Sequence, residues 1–123
     1  MLGCYCGNSI AFQDCCEPYI KGIANTPTAE KLMRSRYSAF ATGAADYLVN
    51  TTHISKRILH NKKDILTWSQ SNTWLKLEIL DRTENTVTFK AYYLDENLKA
   101  RIHYEHATFK LENRKWFYVD GKY

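Results

Sequence analysis

Cys4, Cys6, Cys15 and Cys16 are all the thiols of this 123-residue chain, and they fall within 13 residues. Thiols crowded into a short segment are ligands for a soft divalent ion or members of a disulfide framework. A disulfide framework distributes its cysteines along a small secreted fold, whereas the 107 residues after Cys16 contain none. A Cys15–Cys16 bond would also need a strained vicinal geometry. The spacing suits a metal. Cys4-x-Cys6 presents two sulfurs at one turn, and Gly7 and Asn8 tolerate the positive φ that such a turn requires. Ser9 is placed to cap a short helix from Ile10 to Asp14, which returns Cys15 and Cys16 to the same point. Four thiolates at about 2.3 Å close a tetrahedron and leave no position for water, so the expected site holds one structural Zn²⁺. Reduced or disulfide-bonded cysteines are the alternative.

A second group of side chains has the types needed for proton transfer or ligand contact: Asp46, Tyr47, His53, Trp74, Tyr92, His103, Glu105 and His106. The ordinary reading of the histidines is structural. His103 and His106 project to opposite faces of a regular strand, and His60, before a polar helix start, reads as exposed. No residue is assigned to catalysis. Arg36 stands apart because it falls on the apolar face of a helix. A buried guanidinium needs a carboxylate; a snorkelling one buries only its stem.

The elements that must position these groups can be read from periodicity. Thr28 is the N-cap of a helix with Glu30 in its first turn, and Ala29, Leu32, Met33, Arg36 and Phe40 share one face before a stop at Gly43. A short helix covers Ala45 to Thr52, and another, capped by Asn61, runs from Lys62 to Ser71. From Thr73 the period becomes two. Trp74-x-x-Leu77-x-Ile79 is a ragged strand, and Val87, Phe89, Ala91 and Tyr93 alternate. A long strand spans Leu98 to Glu112 after a turn at Asp95-Glu96-Asn97, and Trp116 to Asp120 closes the set. Within the long strand, Ile102 and Tyr104 are in even phase but Ala107, Phe109 and Leu111 in odd phase, which predicts a bulge and a bent sheet. Helices first and an antiparallel meander after them define an α+β fold.

Composition bounds the rest. With 45% hydrophobic and 24% charged residues, the chain reads as one ordered domain. No apolar stretch approaches ~20 residues, so no membrane span is expected. The Met1-Leu2-Gly3-Cys4 start lacks the marks of a secretory leader, so the expected location is cytoplasmic. Lys and Arg exceed Asp and Glu by 17 to 13, a net +4. Four thiolates with one Zn²⁺ would reduce that to about +2. The basic residues form a small patch, Lys56-Arg57 with Lys62-Lys63, and no helix stripe, so nucleic acid is not the expected partner.

Cys4-Tyr5-Cys6-Gly7-Asn8-Ser9 with Cys15-Cys16 resembles the SEC-C zinc motif found at the C-terminus of the SecA translocation ATPase. The segments Leu32-Met33-Arg34-Ser35-Arg36-Tyr37-Ser38-Ala39-Phe40, Asp46-Tyr47-Leu48 and Lys115-Trp116-Phe117-Tyr118-Val119-Asp120-Gly121 resemble the YchJ-like family of small bacterial proteins. The likeness runs the whole chain in order. It implies a SEC-C zinc knuckle with its connection at 1–24 and a nuclear-transport-factor-2-like domain at 25–123, whose helices pack on a curved antiparallel sheet around a cone. There are departures. Tyr5 replaces the usual Pro, and Ser9-Ile10-Ala11-Phe12-Gln13 replaces a basic stretch between the cysteine pairs. The cone is where a small ligand would sit, with Arg36, Tyr47, His53, Trp74, Tyr92 and Glu105 as its candidate lining. Glu105 lies in a segment that resembles the family's Glu-x-Ser-x-Phe pattern and is the expected partner of Arg36. Ala107 stands where that pattern has Ser.

A fold of this kind is compatible with several functions. The favoured expectation is a zinc-binding, non-enzymatic binding or adaptor module with a ligand-sized cone. Its tip would dock a protein, with a SecB-like chaperone or the ribosome suggested by family analogy alone. Large exposed groups at Tyr5, Ile10 and Phe12 would favour this reading. The alternatives are an isomerase- or dehydratase-like acid–base enzyme working in the cone, and association with the ribosome or nucleic acid through charge.

Overall fold

The computed structural model describes residues 3–123; Met1 and Leu2, the first two residues of the expected N-terminal unit, lie outside them. A 3-10 turn at Phe12–Asp14 leads into helices α1 (Glu17–Ile20), α2 (Ala29–Thr42) and α3 (Ala45–Asn50). A second 3-10 segment, Ile54–Leu59, precedes α4 (Lys62–Ser71). Four strands follow: β1 (Thr73–Arg82), β2 (Thr86–Leu94), β3 (Ala100–Glu112) and β4 (Lys115–Lys122).

The two longer helices begin at the residues whose side chains can satisfy free amides. Thr28 accepts from the Lys31 amide at 3.1 Å, and Asn61 accepts from the amides of Lys63 and Asp64 at 2.8 and 3.3 Å. Gly43 ends α2 at φ +76°, and its amide bonds back to the Ala39 carbonyl. A residue with a Cβ is strained at that φ, so Gly43→Ala is expected to cost about 1 kcal/mol in urea unfolding. An unchanged midpoint would contradict this account of the helix end. The expected helix at Ile10–Asp14 is corrected to the shorter 3-10 turn. It follows Ala11, and no side chain caps it, so Ser9 does not serve as its N-cap.

The strands form one antiparallel meander in the order β1-β2-β3-β4. Its irregularities are not where the phase of β3 suggested. β3 pairs with β2 without a shift from Thr108 to Ala100. One phase holds from Ile102 to Phe109: Glu105, Ala107 and Phe109 are buried, whereas Ile102 and Tyr104 face outward and exposed; Leu111, in the buried phase, is itself exposed near the strand end. The extra residues lie in the two edge strands, at Leu75 and Leu80 in β1 and at Val119 in β4. Each adds local twist, and together they curve the sheet.

Helix α2 lies against the concave face. Leu32, Met33 and Tyr37 pack with Leu77, Val87, Phe89, Phe109, Trp116 and Tyr118 to form the main core. The β4 edge is tied to the chain after α3. The Tyr118 amide donates to Thr51 O, and the His53 amide donates to Tyr118 O, both at 2.7 Å. A second small cluster joins Cys4, Cys6 and Cys16 with Phe12, Cys15 and Ile20. No helix among the described residues is long and apolar enough to cross a membrane.

Candidate metal centre and ligand cavity

A tight turn brings the first two cysteines together. The Cys4 amide donates to Asn8 O at 3.0 Å, the Gly7 amide returns to Cys4 O at 3.1 Å, and Gly7 itself sits at φ +96°. The 3-10 turn and the start of α1 then deliver Cys15 and Cys16. All four Sγ atoms lie within 4.8 Å of one another. The Cys6–Cys15 and Cys15–Cys16 separations are 3.8 and 3.9 Å. A tetrahedron with Zn–S bonds of about 2.3 Å has edges of about 3.8 Å, whereas a disulfide needs about 2.05 Å. The four sulfurs are free thiols at metal-ligand spacing and could hold one ion.

The electrostatics point the same way. A hydrogen bond from the Cys16 thiol, helped by the Asn8 amide and opposed by burial, draws Cys6 down to about 5. Burial, then the charges of Cys6 and Cys4, push Cys15 up to about 11. The bond to Cys6, then burial, pushes Cys16 higher still. One thiolate thus opposes the next, which is the conflict a divalent cation removes. Helix α2 supports the cluster from outside: Ser38 Oγ is 3.5 Å from Cys4 Sγ, and Arg34 Nη1 donates to Cys6 O at 2.8 Å. Arg34 is itself oriented by Glu30, whose carboxylate accepts from Nε at 2.9 Å.

The opposite side of α2 forms one wall of a cavity of about 270 Å³ between the helices and the sheet. Its walls are largely aromatic. Trp68 meets Trp74 at 4.9 Å and Phe40 at 5.6 Å between ring centroids, both edge-on. Arg36, His60, His103, Glu105 and Tyr118 supply its polar part. Arg36 is 6% and Glu105 5% exposed, so neither snorkels to solvent.

Arg36 and Glu105 do not form the direct pair expected from the sequence. Arg36 Nη1 donates to Leu48 O at 2.9 Å and to Thr51 Oγ1 at 2.7 Å, and the guanidinium stacks over the Tyr118 ring at 4.6 Å. Glu105 accepts from the Tyr118 hydroxyl at 2.6 Å and is 2.8 Å from His103 Nε2. Tyr118 stands between the two charges, touching the cation with its face and the carboxylate with its hydroxyl. Burial, then the charge of Glu105, keeps that hydroxyl protonated far above the ordinary phenol range. Burial also works against the Arg36 charge, while Tyr118, Glu105 and Tyr47 favour it.

Of the side chains expected in the cavity, Arg36, Trp74 and Glu105 line it; Tyr47, His53 and Tyr92 do not. Tyr47 faces the other side of α2–α3, where its hydroxyl meets Ser35 Oγ at 2.7 Å beside Trp116. His53 is held outside by Ser55 and Glu112, at 2.7 and 3.1 Å. Tyr92 lies on the outer sheet face, bonded to Glu78 at 2.8 Å and covered by Lys76. His60, read as exposed, instead lines the cavity edge-on to Tyr118. Burial, with the charge of Arg36, holds its imidazole below the usual range, and Glu105 opposes the shift.

Gly121 enters the sequence reading only as the end of a family-like segment, and the structure sets it against Glu105. A Cβ there would collide with the Glu105 carboxylate. Gly121→Ala is therefore expected to destabilise the fold by about 1–3 kcal/mol, the range for inserting an extra methyl into a packed site. Thermal unfolding reads this, and a wild-type midpoint would show that Glu105 moves aside freely.

The basic patch is partly spent within the fold. Arg57 donates to the carbonyls of Thr52 and Asn50 at 2.8 and 3.0 Å, and Lys62 pairs with Asp46 at 2.8 Å. On the knuckle, Tyr5 and Ile10 are 51% and 48% exposed, while Phe12 is half-buried edge-on against Tyr5.

Comparison with known proteins places this arrangement in context. The family model described as YchJ, middle NTF2-like domain, matches residues 28–121. A UPF0225 protein of Geobacter sulfurreducens is 38% identical over 125 residues, covering 96% of this chain and 77% of its own length. The solution structure of a SEC-C motif containing protein from Rhodopseudomonas palustris superposes with a TM-score of 0.89 at 29% identity, covering 97% of this chain and 96% of that one. The crystal structure of a SEC-C motif containing protein from Psychrobacter arcticus gives 0.78 at 28% identity, covering 95% and 80%.

Proposed function

The chain belongs to the YchJ-like family with its NTF2-like domain, and we propose that it is a binding module rather than an enzyme. In this reading one structural Zn²⁺ staples the N-terminal tip onto α2, and the cup on the other side of α2 takes a small, mainly apolar ligand. The observation that carries it is the cavity of about 270 Å³ walled by Tyr37, Phe40, Trp68, Trp74 and Phe89. A concave site with aromatic walls and a few polar groups is the usual composition of a ligand site. The four thiols stay available to the metal in a reducing compartment such as the cytoplasm.

Trp68 and Trp74 make the cup self-reporting. Neutral 1-naphthalenemethanol is expected to change tryptophan emission saturably, and Ala91→Phe, which fills the cavity, to abolish the change. No saturable signal from the wild type, with this alcohol or with the carboxylate of the same ring system, would overturn the cup. The exposed Tyr5 and Ile10 would form the docking face of the tip. Retention of ribosomes or SecB by the immobilised protein, and release by Tyr5→Ser with Ile10→Ser, would support that role; equal retention by both would remove it.

The His103–Glu105 contact favours a second reading, because a carboxylate-oriented imidazole at a cavity wall is the arrangement of a general base. Any compound that co-purifies with the protein can be identified by mass spectrometry and incubated with it. Conversion by the wild type and not by His103→Asn would favour catalysis; an unchanged compound would remove it.

A further inference from the structure

We infer that the occupant of the cup carries a carboxylate, which Arg36 receives through the Nε–Nη2 edge of its guanidinium, on an apolar body of one or two rings. This rests on the cup being a ligand site. The first observation is the hydrogen bonding of Arg36. Nη1 alone is used by the protein, on Leu48 O and the hydroxyls of Thr51 and Thr52. Nε and Nη2 make no hydrogen bond among the described residues. No buried polar side-chain atom among those residues lacks a partner, so both nitrogens keep contact with open space. Arg36 lines the cavity, and that is the open space it meets.

The second observation is charge. No carboxylate among the described residues makes an ion pair with Arg36, although the side chain is 6% exposed. Glu105, the carboxylate of the cavity wall, is engaged by Tyr118 and His103. Its contacts pull it toward the sheet, and the stacked Tyr118 ring lies between it and the cation. A desolvated guanidinium with one free planar edge matches the two oxygens of a carboxylate in a fork. A carboxylate at that edge would also supply the direct counter-charge that the fold withholds.

The third is size and wall chemistry. About 270 Å³ is just below the usual range for ligand pockets. Phe40, Trp68 and Trp74 face the remaining volume, so the body that follows the carboxylate is flat and apolar.

The test compares two probes of nearly the same shape, 1-naphthoate and 1-naphthalenemethanol, by tryptophan fluorescence on the full chain. The wild type is expected to bind the carboxylate about tenfold or more tightly than the alcohol. Arg36→Met is expected to abolish that preference while still binding the alcohol. Should Arg36→Met not fold, the wild-type comparison decides alone. Equal binding of the two probes, or tighter binding of the alcohol, would overturn the carboxylate and leave the cup intact. Failure of both probes would overturn the cup itself, and the carboxylate with it.

Discussion

Glu105→Leu is expected to lower the unfolding free energy by about 3–5 kcal/mol, the cost of removing one partner from a buried charged set. Glu105 is almost fully buried, accepts from Tyr118 at 2.6 Å, and holds His103 at 2.8 Å. Leucine matches its bulk but leaves the Tyr118 hydroxyl without its acceptor. It also leaves Arg36 as an uncompensated cation across the ring. The loss should be coupled to Arg36. The double replacement Arg36→Met, Glu105→Leu removes both charges and is expected to cost less than the two single changes together, by about 1 kcal/mol or more. Urea unfolding of the four proteins reads the cycle. Strict additivity would show that Tyr118 insulates the charges and does not couple them.

The second large effect is expected at the cysteines. Cys6→Ser removes a fully buried thiol from the four-sulfur cluster. Disturbing groups behind a metal ligand costs 10–100-fold in affinity, so loss of a ligand itself should weaken metal binding by about 100-fold or more. The structural consequence follows from size. The tip owns one small cluster, Cys4, Cys6 and Cys16 with Phe12, Cys15 and Ile20. A unit that small cannot hold itself together by apolar burial, and in such units metal binding supplies the folding free energy. Amide exchange over residues 3–24 should therefore rise to near-unfolded rates in Cys6→Ser, and in the wild type after chelation, while β2 and β3 stay protected. Acid should do the same, because protons compete for the thiolates and metal is lost as pH falls. Unchanged protection of the tip after chelation would show that the cluster does not depend on metal.

Much of this was legible in the sequence, and the exceptions have physical causes. Thr28, Gly43 and Asn61 act locally: each satisfies or frees backbone groups within a few residues of itself, so the helix ends follow from composition. The cysteine cluster is equally local. Tyr92 was within reach too, because the alternation of Val87, Phe89, Ala91 and Tyr93 already assigns position 92 to the other face. The sheet bends as expected, but not through a bulge in β3: Ile102 and Tyr104 are large apolar groups left on the outer face, and periodicity cannot separate an exposed apolar residue from a buried one. The bulges at Leu75, Leu80 and Val119 depend on pairing with a neighbouring strand. His60 depends on where the 3-10 segment Ile54–Leu59 ends against the cavity wall. The Arg36–Tyr118–Glu105 arrangement joins residues from three elements, and the sequence supplied the two charges but not the ring between them.

Metal content decides whether a metal staple fixes the tip to the wall of the ligand cup. Protein purified in reductant without chelator, from cells given no extra metal, is assayed for zinc and iron per chain. About one zinc per chain is expected in the wild type, and none retained by Cys6→Ser. A wild-type protein with fewer than about half an equivalent of zinc, or with iron in its place, would contradict it.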